Sequence, residues 1–96
     1  MKEIEKMEDE EIIEKLTQVK GVGRWTVEMF LMFNLGRHDV WPVGDFGVRR
    51  GYQIAFKKRA MPEAKKLIKL GKNWTPYRSW AARYLWKVAD AAKLNK

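Results

Sequence analysis

Apolar side chains recur along this chain at spacings of three and four residues, which is the pattern of helices that bury one face. One such stripe predicts a helix over about residues 9–19, with Asp9 as its N-terminal cap. A second stripe predicts a helix over about residues 24–34. The segment between them, Lys-Gly-Val-Gly at residues 20–23, predicts a tight turn that joins the two helices.

The second half of the chain continues the helical pattern. Residues 35–44 contain two glycines and a proline and are predicted to form a loop. Further helices are predicted over about residues 45–56, 62–70 and 76–94, with Thr75 as the cap of the last one. No alternating run bounded by hairpin turns indicates a strand. The predicted fold class is therefore all-α, with about five helices.

The charged residues are unevenly distributed along the 96 residues, which carry a formal net charge of +8. Residues 1–14 hold seven acidic side chains, whereas residues 15–96 hold eighteen basic and five acidic ones. A basic body of this kind suits an anionic partner and favours nucleic acid over a small soluble metabolite. A solvated lysine-rich surface is the plainer interpretation of the same charge.

The absence of certain residues and segments excludes several kinds of site and argues against some cellular locations. Without cysteine, it forms no disulfide, iron–sulfur cluster or thiolate-ligated zinc site. His38 is the single histidine, which argues against a histidine metal site. No segment reaches the roughly 18 apolar residues of a membrane span, and the acidic N-terminus lacks the apolar region of a signal peptide. We therefore expect an intracellular protein without a membrane partner.

The turn at residues 20–23 has the features of a phosphate site. Gly21 and Gly23 can adopt positive φ and allow another molecule's backbone to approach closely. Because the turn also opens the second helix, its free N–H groups and the positive end of the helix dipole face outward. Glycine is also the default residue of a plain helix–helix turn, so Gly-Val-Gly alone is a weak indication.

Three stretches of the chain form a recognisable pattern: LTQVKGVGRWTVEMF at residues 16–30, Val-Gly-Asp at residues 43–45 and WTPYRSWAARYLW at residues 74–86. Together they resemble the helix-hairpin-helix DNA glycosylase superfamily, and its 3-methyladenine branch in particular. The resemblance extends over about residues 9–94 of this chain. It corresponds to about the last half of the family's glycosylase core.

The resemblance implies a single partial glycosylase domain over residues 1–96. Its parts would be the helix-hairpin-helix at about residues 9–34, the aspartate loop at 35–45 and the C-terminal helices at 45–94. The earlier helices of the family, which supply one wall of the base pocket, have no counterpart in the sequence. We therefore expect an exposed apolar face that is covered by a second copy in a homodimer or by a second polypeptide.

Asp45 is the catalytic residue that the resemblance implies. Excision of a base breaks an N-glycosidic bond through an oxocarbenium-like state, and a carboxylate below the sugar stabilises that charge or orients water. An aspartate that caps the third helix is the alternative interpretation. The two are compatible, since a side chain at a helix start is held rigidly.

Trp25 decides between two glycosylase chemistries. Family members that also cut the DNA strand carry a lysine immediately before the threonine of the hairpin, and this lysine attacks the sugar. Trp25 stands at that position, and its neighbour Arg24 is permanently charged. The resemblance therefore implies a monofunctional enzyme that removes alkylated purines such as 3-methyladenine with water and leaves an abasic site.

The remaining site residues are also implied by the resemblance. The base pocket would contain aromatic stacking partners and a methionine where relatives place tyrosine; these residues are Trp25, Trp86 and Met29. Contacts to DNA phosphates would come from the hairpin and from the helix after the aspartate, at Gly21, Gly23, Arg24, Thr26, Arg49 and Arg50. No cofactor is expected beyond a sodium or potassium ion at the hairpin, held by the backbone carbonyls of Thr17, Val19 and Val22.

Two further interpretations stay open beside a double-stranded-DNA glycosylase. One is a non-catalytic DNA-binding module, and the other is a helical subunit of a split glycosylase. The aromatic stripe of Tyr77, Trp80 and Tyr84 follows the spacing of one helical face and is expected to lie in the core. Arg78 is expected either to contact a phosphate or to pair internally.

Overall fold

Five helices account for most of the chain between residues 9 and 94. The computed structural model describes residues 6–94, and no strand occurs within this range. The helices are α1 (Asp9–Leu16), α2 (Arg24–Phe33), α3 (Phe46–Ala55), α4 (Ala64–Gly71) and α5 (Arg78–Leu94). The prediction of an all-α fold with about five helices is confirmed.

The centre of the fold is the close packing of α3 against α5. Val48 and Tyr52 of α3 and Leu85 of α5 are buried in the core. The helices approach so closely at Gly51 that a Cβ atom there would lie 2.1 Å from the backbone oxygen of Leu85. Residues of α1, α2 and α4 and of the loop after α2 complete this core, which includes Ile12, Ile13, Val27, Leu31, Met32, Val40, Trp41, Leu67 and Ala82.

Helix α1 ends at Leu16, so the prediction that it continues to Val19 is wrong. The hydroxyl of Thr17 donates to the Ile13 carbonyl at 2.6 Å. The next two amides, of Gln18 and Val19, bond three residues back instead of four. The helix therefore tightens into a turn three residues earlier than the apolar pattern indicates, because a local side-chain hydrogen bond competes with the helical ladder.

The predicted caps of two helices are also corrected. Asp9 is the first helical residue rather than the N-cap, and its carboxylate pairs with Arg37 at 2.9 Å. Thr75 does not cap α5, because its hydroxyl donates to Asp39 at 2.5 Å. Asp39 itself accepts the backbone amide of Arg78 at 3.1 Å, so a residue from the loop before α3 caps the last helix.

The starts of α4 and α5 lie two residues later than the proline positions predict. The Pro62 carbonyl accepts a hydrogen bond from Arg49 Nε at 2.9 Å, which keeps this residue in the loop before α4. At α5, the Ser79 amide donates to the His38 carbonyl at 2.9 Å. Contacts with the preceding chain therefore set both helix starts.

None of the described helices is long and apolar enough to cross a bilayer.

Candidate functional site

Asp45 occupies the N-cap position of α3. Its backbone is extended, and its carboxylate oxygen Oδ2 accepts the amide of Val48 at 3.0 Å. This is the standard bond of a capping aspartate, and it orients the carboxylate relative to the helix. The side chain is partly buried, so it remains accessible at the surface of the domain.

Two tryptophan side chains hold the carboxylate of Asp45, each through a different oxygen. Trp25 of α2 donates its indole N–H to Oδ1 at 2.6 Å, and Trp86 of α5 donates to Oδ2 at 2.6 Å. Indole nitrogens are donors only, so both carboxylate oxygens act as acceptors here. Three helices thus converge on one negative charge, which we call the Asp45 site, consisting of Trp25, Asp45, Val48 and Trp86.

Gly47 makes room for one of these indoles. A Cβ atom at this position would lie 2.6 Å from Trp86 Cδ1 and 3.2 Å from Asp45 Oδ2. Any side chain here would displace the Trp86 ring from the carboxylate. This requirement could not be found in the sequence, because it depends on where α5 crosses α3.

Aromatic surfaces surround the Asp45 site. The Trp25 side chain is 52% exposed, and Phe33 stacks on Trp86 with ring centroids 6.0 Å apart. The guanidinium of Arg83 lies 5.1 Å from the centre of the Phe33 ring. Met29, one helical turn after Trp25, is partly buried and packs against the core. The structure thus brings Trp25 and Trp86 together at the carboxylate, with Met29 one turn further along α2.

The hairpin before α2 presents free backbone amides. Gly21 has φ of +88°, a left-handed conformation that favours glycine. Both Gly21 and Gly23 are exposed, and no acceptor for their amides exists among residues 6–94. Gly23 is the N-cap of α2 and offers no side-chain cap, so the first-turn amides of this helix are also open. The arrangement suits an anion at the positive end of the helix.

The three carbonyls predicted to bind a cation lie at the same turn. Within the described residues, the carbonyls of Thr17 and Val22 accept no hydrogen bond. The Val19 carbonyl accepts the Val22 amide at 3.0 Å and keeps a second lone pair. Their backbone oxygens are of the kind that hard cations prefer.

Relatives of known type match nearly the whole chain. No family model matches it, but DNA-3-methyladenine glycosylase 1 of Schizosaccharomyces pombe is 44% identical over 94 residues, which are 98% of this chain and 41% of that protein. The putative DNA-3-methyladenine glycosylase YfjP of Bacillus subtilis is 37% identical over 94% of this chain and 31% of its own length. The chain thus spans less than half the length of these relatives.

Solved structures agree with the sequence relatives. The Schizosaccharomyces pombe 3-methyladenine DNA glycosylase in complex with abasic DNA has a TM-score of 0.85 and 45% identity, covering 90% of this chain and 42% of that chain. The DNA-3-methyladenine glycosidase of Bacillus halodurans gives 0.81 and 49%, covering 92% and 41%. This chain is homologous to part of the 3-methyladenine DNA glycosylases. The resemblance described from the sequence is confirmed.

The side chains predicted to contact DNA differ in how far internal hydrogen bonds and ion pairs already engage them in this glycosylase homologue. Arg24 lies at the start of α2 beside the hairpin, and Thr26 lies exposed in the same first turn. Arg49 is partly buried and donates to the Pro62 carbonyl, and Arg50 donates to Gln53 at 2.8 Å. Arg78 pairs internally with Asp39 at 2.7 Å, which answers the question that the sequence left open.

Two carboxylates of the glycosylase homologue were missed by sequence reasoning. Glu28 of α2 is 4% exposed, and burial raises its pKa to about 7 although Arg24 opposes the shift. Burial also acts to raise the pKa of Asp39, but hydrogen bonds from Arg78 and Thr75 outweigh it and hold the pKa below its usual value. An apolar helix face interrupted by a glutamate was the signal that could have revealed Glu28.

The expected core position of the aromatic stripe on α5 is wrong. Tyr77, Trp80 and Tyr84 are each more than half exposed. Together with Phe56, Trp74 and Leu85 they line an apolar groove of about 520 Å³, which we call the aromatic groove. The buried face of α5 carries Ala82 and Ala89 instead, since a helix in this small fold packs on one side only.

Proposed function

We propose that this chain carries the DNA-binding and catalytic residues of a monofunctional DNA-3-methyladenine glycosylase, which hydrolyses the N-glycosidic bond of alkylated purines. The observation that supports it most strongly is the Asp45 site. A carboxylate fixed by Trp25, Trp86 and the Val48 amide lies beside open hairpin amides, within a fold matched by the glycosylases. The relatives extend well beyond this chain, so the proposed activity is that of a larger whole enzyme.

In this proposal Asp45 stabilises the positive charge that develops on the sugar. Its three hydrogen bonds fix the orientation of the carboxylate before the reaction, which is the condition for effective electrostatic stabilisation. The half-exposed Trp25 ring and the Trp86 ring would flank the flipped base, with Met29 at the back of the pocket. Electron-rich rings favour a cationic alkylated base.

Water is the proposed nucleophile. No lysine or arginine among residues 6–94 forms an ion pair with Asp45, and the position for a Schiff-base lysine holds Trp25. A tryptophan cannot attack the sugar. The product is therefore an abasic site in an uncut strand.

The hairpin is proposed to bind a phosphate of double-stranded DNA. The amides of Gly21 and Gly23 and the first turn of α2, with Arg24 and Thr26, would contact it. A sodium or potassium ion on the carbonyls of Thr17, Val19 and Val22 would then balance the phosphate charge. Arg49 and Arg50 already donate to internal partners, so they would contribute to the electrostatic attraction of DNA rather than form direct phosphate contacts.

The aromatic groove supports the further proposal that a second copy or a second polypeptide completes the domain over residues 1–96. Four aromatic rings, each at least half exposed, form one continuous apolar surface here. Monomeric proteins usually expose apolar side chains singly, so a surface of this kind indicates a partner. Light scattering of the purified chain at increasing concentration tests this. A well-folded monomer at high concentration would remove the homodimer from consideration.

The decisive experiment is release of methylated bases from alkylated duplex DNA by the chain and by Asp45→Asn. Asparagine presents one oxygen and one NH₂, so one indole N–H loses its acceptor and the negative charge is gone. We expect release to fall at least about 100-fold. Asp90→Asn, an exposed aspartate on α5, is the matched control and should release bases at the normal rate.

The other outcomes separate the remaining interpretations. Salt-dependent binding to undamaged duplex without base release would favour the non-catalytic DNA-binding module. Neither binding nor release would favour a subunit of a split glycosylase. Equal release by the chain and Asp45→Asn would show that Asp45 acts only as the cap of α3.

A further inference from the structure

Arg24 contacts two carboxylates, one exposed to solvent and one buried. Its terminal nitrogens Nη1 and Nη2 donate to the two oxygens of Glu10 at 3.2 and 2.5 Å, while Nε lies 3.4 Å from Oε2 of Glu28. The Glu10 side chain is 74% exposed on α1, and that of Glu28 is 5% exposed on α2. The guanidinium therefore has one side that faces solvent and one that faces the interior.

Glu28 is the permanent partner. It lies one helical turn after Arg24 on the same helix, so the distance between them does not depend on how α1 and α2 move. A buried carboxylate without a counter-charge is strongly disfavoured, and Arg24 is the basic side chain that pairs with Glu28 among the described residues. Glu10 and Asp45 are the negative groups that act on it from α1 and from the start of α3.

Glu10 is the exchangeable partner. Ion pairs between exposed side chains are weak, because water screens the charges and both side chains lose freedom. Arg24 follows Gly23 directly, so a phosphate on the hairpin amides would lie within reach of its long side chain. Phosphate accepts the guanidinium fork with the same two-bond geometry as a carboxylate.

We propose that Glu10 occupies the phosphate-binding fork of Arg24 as an internal competitor, which a DNA phosphate displaces, while Glu28 keeps Arg24 in position during the exchange. The inference rests on the proposed function, since it requires a phosphate at the hairpin. Both carboxylates thereby have a role in DNA binding. Glu10, whose negative charge repels DNA, occupies the Arg24 nitrogens that the phosphate would bind, and Glu28 holds Arg24 in place. Glu10 and Glu28 are positioning residues and take no part in bond breakage.

The test compares Glu10→Gln with Glu11→Gln in binding to a fluorescently labelled duplex, measured by anisotropy at low salt. Glu11 is the next residue on α1, is exposed and forms no ion pair with any residue between 6 and 94. Both substitutions remove one negative charge, so the general gain in attraction is the same for both. We expect Glu10→Gln to bind about two- to fivefold more tightly than Glu11→Gln, the range that loss of an exposed ion pair provides. A merely structural role for Glu10 predicts no such gain.

A second comparison assigns the effect to Arg24. In an Arg24→Gln background, the advantage of Glu10→Gln over Glu11→Gln should disappear. Equal affinity of the two single variants, or an advantage that persists without Arg24, would overturn the inference while the proposed function stands. If neither the unsubstituted chain nor either single variant binds the duplex in a salt-dependent way, the proposed function fails and the inference fails with it.

Discussion

The hairpin and the Asp45 site both adjoin the first turn of α2, but they are built in different ways. Every backbone bond of the hairpin joins residues three or four apart, such as Val22 to Val19 and Val27 to Gly23. The Asp45 site joins residues 20 and 41 positions apart, at Trp25 and Trp86. The hairpin is therefore a local structure, whereas the geometry of the carboxylate depends on the packing of α5 against α3.

This difference predicts where the protein is sensitive to substitution. A change in the α3–α5 contact should alter both stability and the Asp45 site. A change in the hairpin should alter its own conformation and the presentation of its amides, with little effect on the core. Of the three following predictions, ordered from the largest expected effect to the smallest, the first and the last test that contrast directly, and the second tests the buried carboxylate of α2, the helix that both regions adjoin.

Gly51→Ala should be the most damaging of these changes. Its Cβ would lie 2.1 Å from the Leu85 backbone oxygen, and backbone cannot move aside as a flexible side chain can. We expect a loss of about 3 kcal/mol in the free energy of unfolding, measured by urea denaturation. Gly44→Ala is the control, since nothing lies within 4 Å of its Cβ position. Equal stability of the two variants would contradict the proposed closeness of α3 and α5.

Glu28 should make stability depend on pH. Its folded-state pKa of about 7 lies above its usual value of 4.5, so the folded chain holds this proton more tightly than the unfolded chain. The contribution to stability is therefore complete below about pH 4.5 and is lost as the pH rises to about 7. The total change is at most about 3 kcal/mol.

Denaturation of Glu28→Gln at pH values from about 5 to about 8 measures this contribution. The variant should lose less stability over this range than the unsubstituted chain, because its amide does not titrate. Exposed Glu14→Gln, one turn after Glu10 on α1, should keep the full pH dependence. Parallel profiles for all three proteins would mean that Glu28 is ionised to the same extent in both states.

Gly21→Ala should have the smallest effect of the three. Its φ of +88° is disfavoured for alanine, so we expect a loss of about 1 kcal/mol in the free energy of unfolding. Gly23→Ala should cost less, because Gly23 has φ of −95° and free space around its Cβ position, and only the modest preference for glycine over alanine at an N-cap is lost. A larger loss at Gly23 than at Gly21 would show that the hairpin conformation differs from the one described.

Most of the fold was predictable from local pattern. The five helices, the turn between α1 and α2, and the loop before Asp45 follow from apolar spacing and from glycine and proline positions. The resemblance to 3-methyladenine DNA glycosylases is confirmed by relatives that match nearly the whole chain. The helix ends were less predictable, because Thr17 and Asp39 form hydrogen bonds that apolar periodicity does not register.

The sequence by itself determined which residues carry chemistry, since the Gly-Val-Gly turn, the aspartate and the tryptophans are recognisable by type and spacing. The tertiary structure decided how they act together. It brought two indole donors to Asp45, buried Glu28 beside Arg24 and left the aromatic stripe of α5 outside the core. The physical reason is the sequence separation of the interacting residues. Helices and turns form between neighbours along the chain, so local sequence predicts them. Hydrogen bonds between residues 20 to 41 positions apart exist only after the helices have packed.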